Sequence, residues 1–400
     1  MATYRNGILI SKTTLPPGKP CAAQPVPQPT AKAPKREGMS LTRVPPDGRK
    51  LASFPQCVHL GEPTGQRLDC QVCGGGKDIP VMSCAVHGEC SATRRIVVGG
   101  KEYPWCRTCK DKQTTIQPTN KVRLGPGLKS GKVNEQFNSS LFRYKGRLLL
   151  AYRTGWAGAK IHIAEMTEDL RPIRNHTLRL THERANYGQE DPRLFEFDGS
   201  LWVSYIGVRG QQRIVDTHQM IARLDDDFRV TDIVYPHYEK RQPWEKNWQF
   251  FDWENKLYAV YTIHPQTILC IDGERAVQVF RSDWNPQWSG GALRGGASPV
   301  LVGNEWWCFF HGKVEPAYDY SIGVYAFSAG PPFRPVRYTR DPILWSERST
   351  KPAGQYAPVV FPCGAVLDGD RWRVSCGIHD RWTEVFEFDH RHIERVMVRA

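Results

Sequence analysis

Residues 196–206 of this 400-residue chain read EFDGSLWVSYI, two short alternating apolar runs joined by Asp198 and Gly199. Asp and Gly adopt the positive φ angles that a two-residue hairpin turn requires, so the stretch predicts a β-hairpin. Four further copies, 49 to 66 residues apart, are centred on Gly146, Asn255, Asn304 and Gly369–Asp370. A hairpin repeated about every 50 residues is typical of propeller blades. The sequence therefore predicts an all-β chain containing a five-bladed β-propeller.

Composition divides the rest of the chain into three further regions. Residues 1–50 are rich in proline and basic residues, which predicts an extended, disordered arm or linker. Residues 51–112 contain closely spaced cysteines and the hairpin-like stretch IVVGGKEYPWC at 96–106. Residues 113–133 are polar and contain glycine, which favours a second linker. The predicted propeller then occupies residues 134–400.

The net charge of +13 is confined to the first third of the chain. Residues 1–133 contain 21 Lys and Arg against 8 Asp and Glu, whereas residues 134–400 contain 33 of each. A basic segment attached to a neutral body suggests an anionic partner, and a solvated flexible arm is the plainer alternative. Zinc knuckles in a basic segment also permit a nucleic-acid role, but no basic motif rich in aromatic residues supports it.

Hydropathy indicates a location in the cytoplasm. No apolar run approaches the ~20 residues of a membrane span. The apolar stretch near the N-terminus, GILI, is shorter than the ~7–15 residues of a secretory signal core. We therefore expect a soluble cytoplasmic protein.

The cysteine-rich region has the spacing of a zinc-binding module. Paired Cys-x-x-Cys and Cys-x-x-His-x-x-Cys spacings let neighbouring thiolates reach one metal ion, and four ligands close a structural site. Nine side chains compete for the eight positions of two structural zinc ions, namely Cys57, His59, Cys70, Cys73, Cys84, His87, Cys90, Cys106 and Cys109. A disulfide framework and an iron–sulfur cluster are the alternatives.

Alignment of the five hairpins on their turns predicts a shared polar site. Asn138, Asp191 and Asn247 lie eight residues before a turn, and Arg153 and His311 lie seven residues after one. Equivalent positions of propeller blades face the central axis at similar height. Polar groups at the head of an inward-facing strand are costly unless a solvated cavity receives them. A structural ion pair between Asp191 and Arg193 is the plainer alternative.

Six motifs occur in the order found in glycoside hydrolase family 130, and the chain resembles that family over residues 138–390. The motifs are Asn138 before a strand ending in Tyr152-Arg153, GQEDPRLF, EKNW, GG-x-SP, FHG followed by Tyr320-x-x-Gly323, and VVFPCGAV with Gly-x-x-Asp380. The family comprises β-mannoside phosphorylases and some β-mannosidases on a five-bladed propeller, and related propellers include inverting β-mannosyltransferases.

The resemblance implies roles for particular residues. Asp191 matches the catalytic acid, which in the family protonates the glycosidic oxygen through a sugar hydroxyl. Arg153 and Asp380 match residues that hold the sugar, and we expect Asn138, Arg193 and Asn247 to bind the substrate as well. The implied phosphate-binding residues are Lys246, His311 and Tyr320, so that inorganic phosphate or a sugar phosphate would be the co-substrate.

The resulting expectation is a carbohydrate-active enzyme that acts on β-mannosidic linkages with inversion, by phosphorolysis or mannosyl transfer. An inverting displacement needs an acid on the leaving-group side and a nucleophile on the other face. Lys246 and His311 favour a phosphate nucleophile over water, although EKNWQF resembles the transferase-like relatives. The alternatives are a β-mannoside hydrolase and a non-catalytic glycan-binding propeller recruited through its zinc module.

Overall fold

The computed structural model describes six short backbone segments before residue 110 and most of the chain from residue 116 onward. The early segments are residues 3–5, 8–10, 60–67, 80–84, 88–98 and 101–106. The later ones, for which most side chains are also described, are residues 116–124, 136–155, 158–211, 214–242, 244–314, 319–346 and 358–400.

The early segments form two small antiparallel sheets. Strands β1 (Thr3–Arg5) and β2 (Ile8–Ile10) pair with each other inside the predicted disordered arm. The dipeptide Asn6-Gly7 in the sequence between them is one that favours hairpin turns. The second sheet has the order β3 (Leu60–Arg67), β4 (Pro80–Cys84), β5 (Gly88–Val98) and β6 (Lys101–Cys106). Its β5–β6 pair is the hairpin predicted from IVVGGKEYPWC.

Five larger sheets follow. The first contains β8 (Gln136–Tyr144), β9 (Arg147–Thr154), β10 (Lys160–Met166) and β11 (Pro172–Thr177). After a 3-10 turn (Glu183–Ala185), the second contains β12 (Gly188–Phe197), β13 (Ser200–Gln211), β14 (Ile214–Leu224) and β15 (Val230–Val234). The third contains β16 (His237–Tyr238), β17 (Gln249–Trp253), β18 (Lys256–Ile263), β19 (Gln266–Asp272) and β20 (Arg275–Arg281).

The fourth sheet is the largest of the five. It contains β21 (Ala292–Arg294), β22 (Val300–Val302), β23 (Glu305–Val314), β24 (Asp319–Ser328), β25 (Pro335–Thr339), β26 (Leu344–Trp345) and the C-terminal β30 (Met397–Arg399). The fifth contains β27 (Val360–Asp368), β28 (Arg371–Ile378) and β29 (Trp382–Asp389), followed by helix α1 (His390–Val396). Strand β7 (Asn120–Arg123) is its outer strand.

All five hairpins predicted from the sequence are present, one in each large sheet. Their turns separate β8 from β9, β12 from β13, β17 from β18, β22 from β23 and β27 from β28. In the first three, both turn residues have positive φ, for example 50° at Asp198 and 63° at Gly199. At the last two the first turn residue is Gly303 or Gly369, each with φ of 60°. The turn chemistry therefore fixed the register of each inner hairpin.

The apolar core consists of layers between neighbouring sheets. Successive buried clusters join the first sheet to the second, the second to the third, the third to the fourth and the fourth to the fifth. A further cluster, which includes Leu141, Leu150, Val366 and Val385, joins the fifth sheet back to the first. The described chain is thus an all-β, propeller-like fold in which five sheets pack in cyclic order.

The ring closes through residues that the sequence analysis had placed in a linker. Strand β7 pairs with β29, so that Val122 lies opposite Val385 and Asn120 opposite Glu387. Residues 120–123 are therefore part of the last sheet rather than a connector. A four-residue strand with one apolar side chain carries too little periodicity to be recognised from sequence.

Candidate active site

Three of the aligned polar residues share an uncommon backbone conformation. Asn138, Asp191 and Asn247 have φ of 51°, 51° and 67°. Asn and Asp tolerate this left-handed region better than other side chains that carry a Cβ. The register of β8 against β9 shifts after Phe137, and that of β12 against β13 shifts after Glu190. Such bulges redirect a side chain out of the regular pleat, and here they bring the polar side chains of neighbouring sheets together.

Asp191 lies at the centre of the resulting cluster and is only 8% exposed. The Asn138 amide donates a hydrogen bond of 2.8 Å to Asp191 Oδ1. The Arg153 guanidinium donates to Asp191 Oδ1 and to Glu190 Oε1, both at 3.2 Å. Residues that are 38 and 53 positions distant in sequence thus hold one carboxylate in place.

Arg193 joins four sheets beneath the cluster. Its side chain is fully buried and donates to the Gly296 carbonyl, to the Asp191 carbonyl at 3.2 Å and to Asn247 Oδ1 at 3.0 Å. Its guanidinium also lies 5.2 Å from the ring centre of Phe361. All its donor nitrogens are engaged within the protein, so Arg193 holds Asp191 and Asn247 in position rather than presenting a surface to a ligand.

Lys246 reaches the same cluster through Glu190. Lys246 Nζ lies 3.7 Å from Glu190 Oε2, and the lysine side chain is 37% exposed. The preceding residue, Glu245, is buried and accepts hydrogen bonds from Trp248 Nε1 and the Gln242 amide, both at 2.6 Å. These contacts anchor the segment from which Lys246 projects. Glu190 bridges Arg153 and Lys246, a role that the sequence analysis missed although Glu190 adjoins Asp191.

His311 and Tyr320 form a second group beside the first. Their rings stack with centres 5.2 Å apart, and the His311 ring meets Phe361 edge-on at 4.8 Å. His311 Nδ1 lies 2.9 Å from the Gly295 carbonyl, so Nδ1 carries the hydrogen and donates. Burial, with Arg294 and Arg193 nearby, lowers the pKa of His311 to about 3, which makes the imidazole neutral. Arg294, which pairs with His311 across β21 and β23, is a further cation that sequence reasoning missed.

The pKa values of Asp191 and Asp380 are shifted in opposite directions. Burial raises the pKa of Asp191, but Arg153, Lys246, the Asn138 amide and Arg193 outweigh it, so that the pKa is lowered overall. For Asp380, burial and the charge of Asp191 outweigh Arg153 and Asn138 and raise the pKa to about 6. Asp380 itself has φ of 52° and lies between β28 and β29. Its electrostatic coupling to Asp191 places it in the same cluster.

The predicted convergence of the aligned positions is thus observed in the structure. Direct hydrogen bonds connect Asn138, Arg153, Asp191, Arg193 and Asn247. Gly377, another aligned position, packs closely against Asn138, since a Cβ at residue 377 would lie 1.8 Å from Asn138 Oδ1. His311 and Tyr320 connect to Arg193 through Phe361.

The zinc prediction falls mostly outside the described residues. Cys57, His59, Cys70, Cys73, His87 and Cys109 are not described, and Cys84, Cys90 and Cys106 lie in β4, β5 and β6. Within the part of the chain that the structure describes, no three His, Cys, Asp or Glu side chains form a group suited to a metal ion. Cys308, Cys363 and Cys376 are buried free thiols.

Comparison with known proteins identifies the family. The family model of glycoside hydrolase family 130, described as β-1,4-mannooligosaccharide phosphorylase, matches residues 112–399. The chain belongs to this family. Its members include mannoside phosphorylases, and the match begins just before the strand that closes the ring.

The relatives named below have low sequence identity to this chain. A β-1,2-mannobiose phosphorylase from Listeria innocua is 28% identical over 94 residues, which are 24% of this chain and 26% of the relative. Its structure with β-1,2-mannobiose superposes with a TM-score of 0.51 at 17% identity and covers 69% of this chain and 99% of that one. A mannose phosphorylase from Leishmania mexicana with bound phosphate gives a TM-score of 0.52 at 13% identity, covering 72% and 94%. At these identities the structural likeness concerns the fold.

The structure contains no membrane-spanning helix among the residues that it describes. The described helix α1 has seven residues, far fewer than a bilayer requires.

Proposed function

We propose that this family 130 protein is an enzyme that breaks or forms β-mannosidic bonds with inversion, with phosphate or a sugar phosphate as co-substrate. The observation that carries the proposal is the buried carboxylate of Asp191, held by Asn138 and Arg153 beside the Glu190–Lys246 pair. A binding module has no need of a buried carboxylate among basic groups that lower its pKa, whereas acid–base catalysis needs a titratable group in the site. The non-catalytic alternative is therefore the weaker one.

In the proposed phosphorolysis, a phosphate oxygen attacks the anomeric carbon of the mannosyl unit as the glycosidic C–O bond breaks. Asp191 supplies the proton, through a hydroxyl of the sugar, to the departing oxygen. Asn138, Arg153, Asn247 and Asp380 surround the mannosyl unit, and Arg193 keeps Asp191 and Asn247 in position. The products are mannose 1-phosphate of inverted configuration and the shortened saccharide.

The phosphate would lie against Lys246, Tyr320 and His311, with Arg294 as an additional cation. Because the His311 imidazole is neutral and Nδ1 donates to Gly295, its Nε2 can accept a hydrogen bond but cannot donate one. A phosphate dianion, which keeps one hydroxyl, can donate that hydrogen to Nε2. His311 would then select the protonation state of phosphate while Lys246 and Arg294 supply the charge.

The lowered pKa of Asp191 couples its protonation to phosphate binding. A general acid must carry its proton, yet Arg153, Lys246 and Arg193 favour the ionised form when the site is empty. A bound phosphate neutralises part of this positive charge, so it raises the pKa of Asp191 towards the range in which the acid works. In the synthetic direction the ionised carboxylate is already a base for the acceptor hydroxyl.

One assay matrix tests the proposal. The full chain is incubated with β-1,2- and β-1,4-mannobiose with and without phosphate, and with mannose 1-phosphate or GDP-mannose plus mannose. Turnover that requires phosphate or a mannosyl phosphate donor supports it, GDP-mannose use indicates a transferase, and phosphate-independent release of mannose indicates a hydrolase. Asp191→Asn should lower kcat by at least about 100-fold.

A matched control separates catalysis from backbone effects. Asp198 lies on the same segment, also has a left-handed φ of 50° and is exposed in a hairpin turn. Asp198→Asn should therefore retain the parent activity. Absence of turnover in every mixture, or equal activity of Asp191→Asn and Asp198→Asn, would refute the enzymatic role of Asp191.

The N-terminal region adds a separate proposal. The Cys and His spacing of residues 57–109 supports two structural zinc ions, and the positive charge of residues 1–133 supports an anionic partner; the composition favours the cytoplasm. Metal analysis of the purified full chain should find about two zinc ions per molecule. One zinc ion, or iron, would contradict this assignment.

A further inference from the structure

The turn between β28 and β29 carries Asp380 and contains no glycine. His379 and Asp380 both have left-handed φ angles, of 53° and 52°. The Arg381 amide donates to the Ile378 carbonyl at 2.9 Å, and Ile378 pairs with Trp382 where the two strands meet. Side chains with a Cβ adopt left-handed φ angles less readily than glycine does, so contacts from outside the turn are needed to hold its shape.

Trp382, the first residue after the turn, supplies such contacts. Its ring meets the His379 ring edge-on with the ring centres 5.3 Å apart, and His379 is only 6% exposed. The indole nitrogen of Trp382 donates to Glu384 Oε1 at 3.2 Å. The indole ring is thus packed against one of the two left-handed residues of the turn and is oriented by a carboxylate of the following strand.

Strand β7 holds the Trp382 ring from the neighbouring position in the sheet. The Arg123 guanidinium lies over the ring, 3.9 Å from its centre. Tryptophan offers a cation the most favourable aromatic face. Lys121 Nζ lies 3.8 Å from Glu384 Oε2, on the carboxylate that accepts from the indole. Alternate residues of a strand project to one face, so Lys121 and Arg123 act together on the Trp382–Glu384 pair.

At the other side of the turn, Asp380 interacts with groups from two other sheets. The charge of Asp191 raises the pKa of Asp380, whereas Arg153 and the Asn138 amide lower it. These interactions vary with the separation of the groups, so they require the turn to stay in place. A displaced turn would weaken sugar binding by Asp380 without altering the proposed phosphate-binding residues, which lie on other segments of the chain.

We propose that Arg123 is a positioning residue for sugar binding: by holding Trp382, it keeps the turn that carries Asp380 in place. The inference rests on the proposed function, because it takes Asp380 to be a sugar ligand. It gives the short strand that closes the ring a second role, since closure of the ring and completion of the sugar site then occur together.

Steady-state kinetics of phosphorolysis provide the first test. Arg123→Ala should raise KM for mannobiose by about three- to ten-fold and leave KM for phosphate unchanged. Arg123→Lys retains a cation that can lie over the ring, so it should restore KM for mannobiose to within about two-fold of the parent value.

Arg337→Ala is the matched control. Arg337 also lies over a tryptophan ring, that of Trp307, at 5.0 Å from its centre. It pairs with Glu305, at the end of β23 away from His311. Both KM values of Arg337→Ala should therefore match those of the parent, and melting temperatures check that each variant is folded.

A double-mutant cycle tests the route through Asp380. In an Asp380→Asn background, Arg123→Ala should raise KM for mannobiose by less than about two-fold, because the carboxylate that Arg123 positions is already absent. The inference is overturned, and the enzymatic proposal left intact, if Arg123→Ala has its full effect in that background, if it raises KM for mannobiose and phosphate equally, or if it matches the parent.

A binding measurement separates failure of this inference from failure of the proposed function. Calorimetric titration with β-1,2- and β-1,4-mannobiose in an Asp191→Asn background requires no turnover. Weaker mannobiose binding after Arg123→Ala, restored by Arg123→Lys, supports the inference. Unchanged mannobiose binding overturns the inference alone, whereas absence of both mannobiose binding and turnover in the parent overturns the inference and the proposed function together.

Discussion

Asp380→Asn should stabilise the protein and impair its activity. Burial and the neighbouring Asp191 raise the pKa of Asp380 from 3.8 to about 6, so the folded state opposes ionisation of this carboxyl. At neutral pH the residue is charged in both the folded and the unfolded chain, and keeping this charge in the folded site lowers the stability of the protein. A pKa difference of this size corresponds to about 3 kcal/mol. Because the side chain is partly exposed, we expect roughly half of that, about 1–2 kcal/mol.

The stability gained by Asp380→Asn should increase with pH. Between pH 4 and pH 6 the folded parent retains a proton that the unfolded chain has lost, so its stability falls as the pH rises through this window. The neutral asparagine removes that loss. The stability difference between Asp380→Asn and the parent should therefore be full above about pH 7 and shrink as the pH falls from 6 towards 4.

Urea unfolding of both proteins at pH 4.5, 6 and 8 measures the effect, and the melting temperature at pH 8 should rise by roughly 2–6 °C. Asparagine also tolerates the φ of 52° at this position, but that benefit does not vary with pH. Asp272→Asn, at an exposed carboxylate of β19, should change stability by less than about 0.5 kcal/mol. A gain in stability that does not vary with pH, or a loss of stability at pH 8, would refute the reasoning.

The kcat/KM of Asp380→Asn for phosphorolysis should fall at least about ten-fold, because the variant lacks the carboxylate proposed to bind the sugar.

Three further outcomes are expected. Arg193→Lys should lower the free energy of unfolding in urea by about 2–4 kcal/mol, because the single ammonium nitrogen of a lysine cannot reach the three acceptors that Nε, Nη1 and Nη2 of Arg193 contact separately. Arg371→Lys, at a half-exposed arginine paired with Glu387 at 3.5 Å, serves as its control. Gly377→Ala should lower the free energy of unfolding by about 1–3 kcal/mol and reduce kcat/KM, because the added methyl group would displace Asn138. Gly199→Asn, where the added side chain meets open space, should change neither stability nor kcat/KM. Val122→Asp should destabilise the pairing of β7 with β29 by about 2 kcal/mol and increase protease cleavage within residues 116–124. Equal cleavage of the variant and the parent would contradict the role of β7 in closing the ring of sheets.

The inner hairpins and the site they carry were predictable because the signals are local and repeated. Turn residues such as Asp198-Gly199 specify a register without reference to the rest of the chain. Once five registers are known, the positions eight residues before each turn become equivalent. The proximity of Asn138, Asp191 and Asn247 could thus be predicted although more than 100 residues separate the first from the last.

Features that depend on tertiary contacts were not predictable in this way. The neutral state of His311 results from burial beside Arg294 and Arg193, which no spacing reveals. Arg193 resembles a ligand-binding residue in sequence, but the structure shows its guanidinium wholly occupied with protein acceptors. Glu190 gains its bridging position only when Arg153 and Lys246 arrive from two other sheets.

The pairing of β7 with β29 has a consequence for synthesis on the ribosome. Thr119 and Asn120 bond to Glu387, some 268 residues later, so the first strand of the ring waits unpaired until nearly the last residue has been made. Throughout that interval β7 lacks the strand with which it pairs, and an unpaired strand is a surface that aggregates readily. A chain that stalls on the ribosome after β28, between residues 378 and 382, would contain all five hairpins but would lack β29, and its ring would stay open.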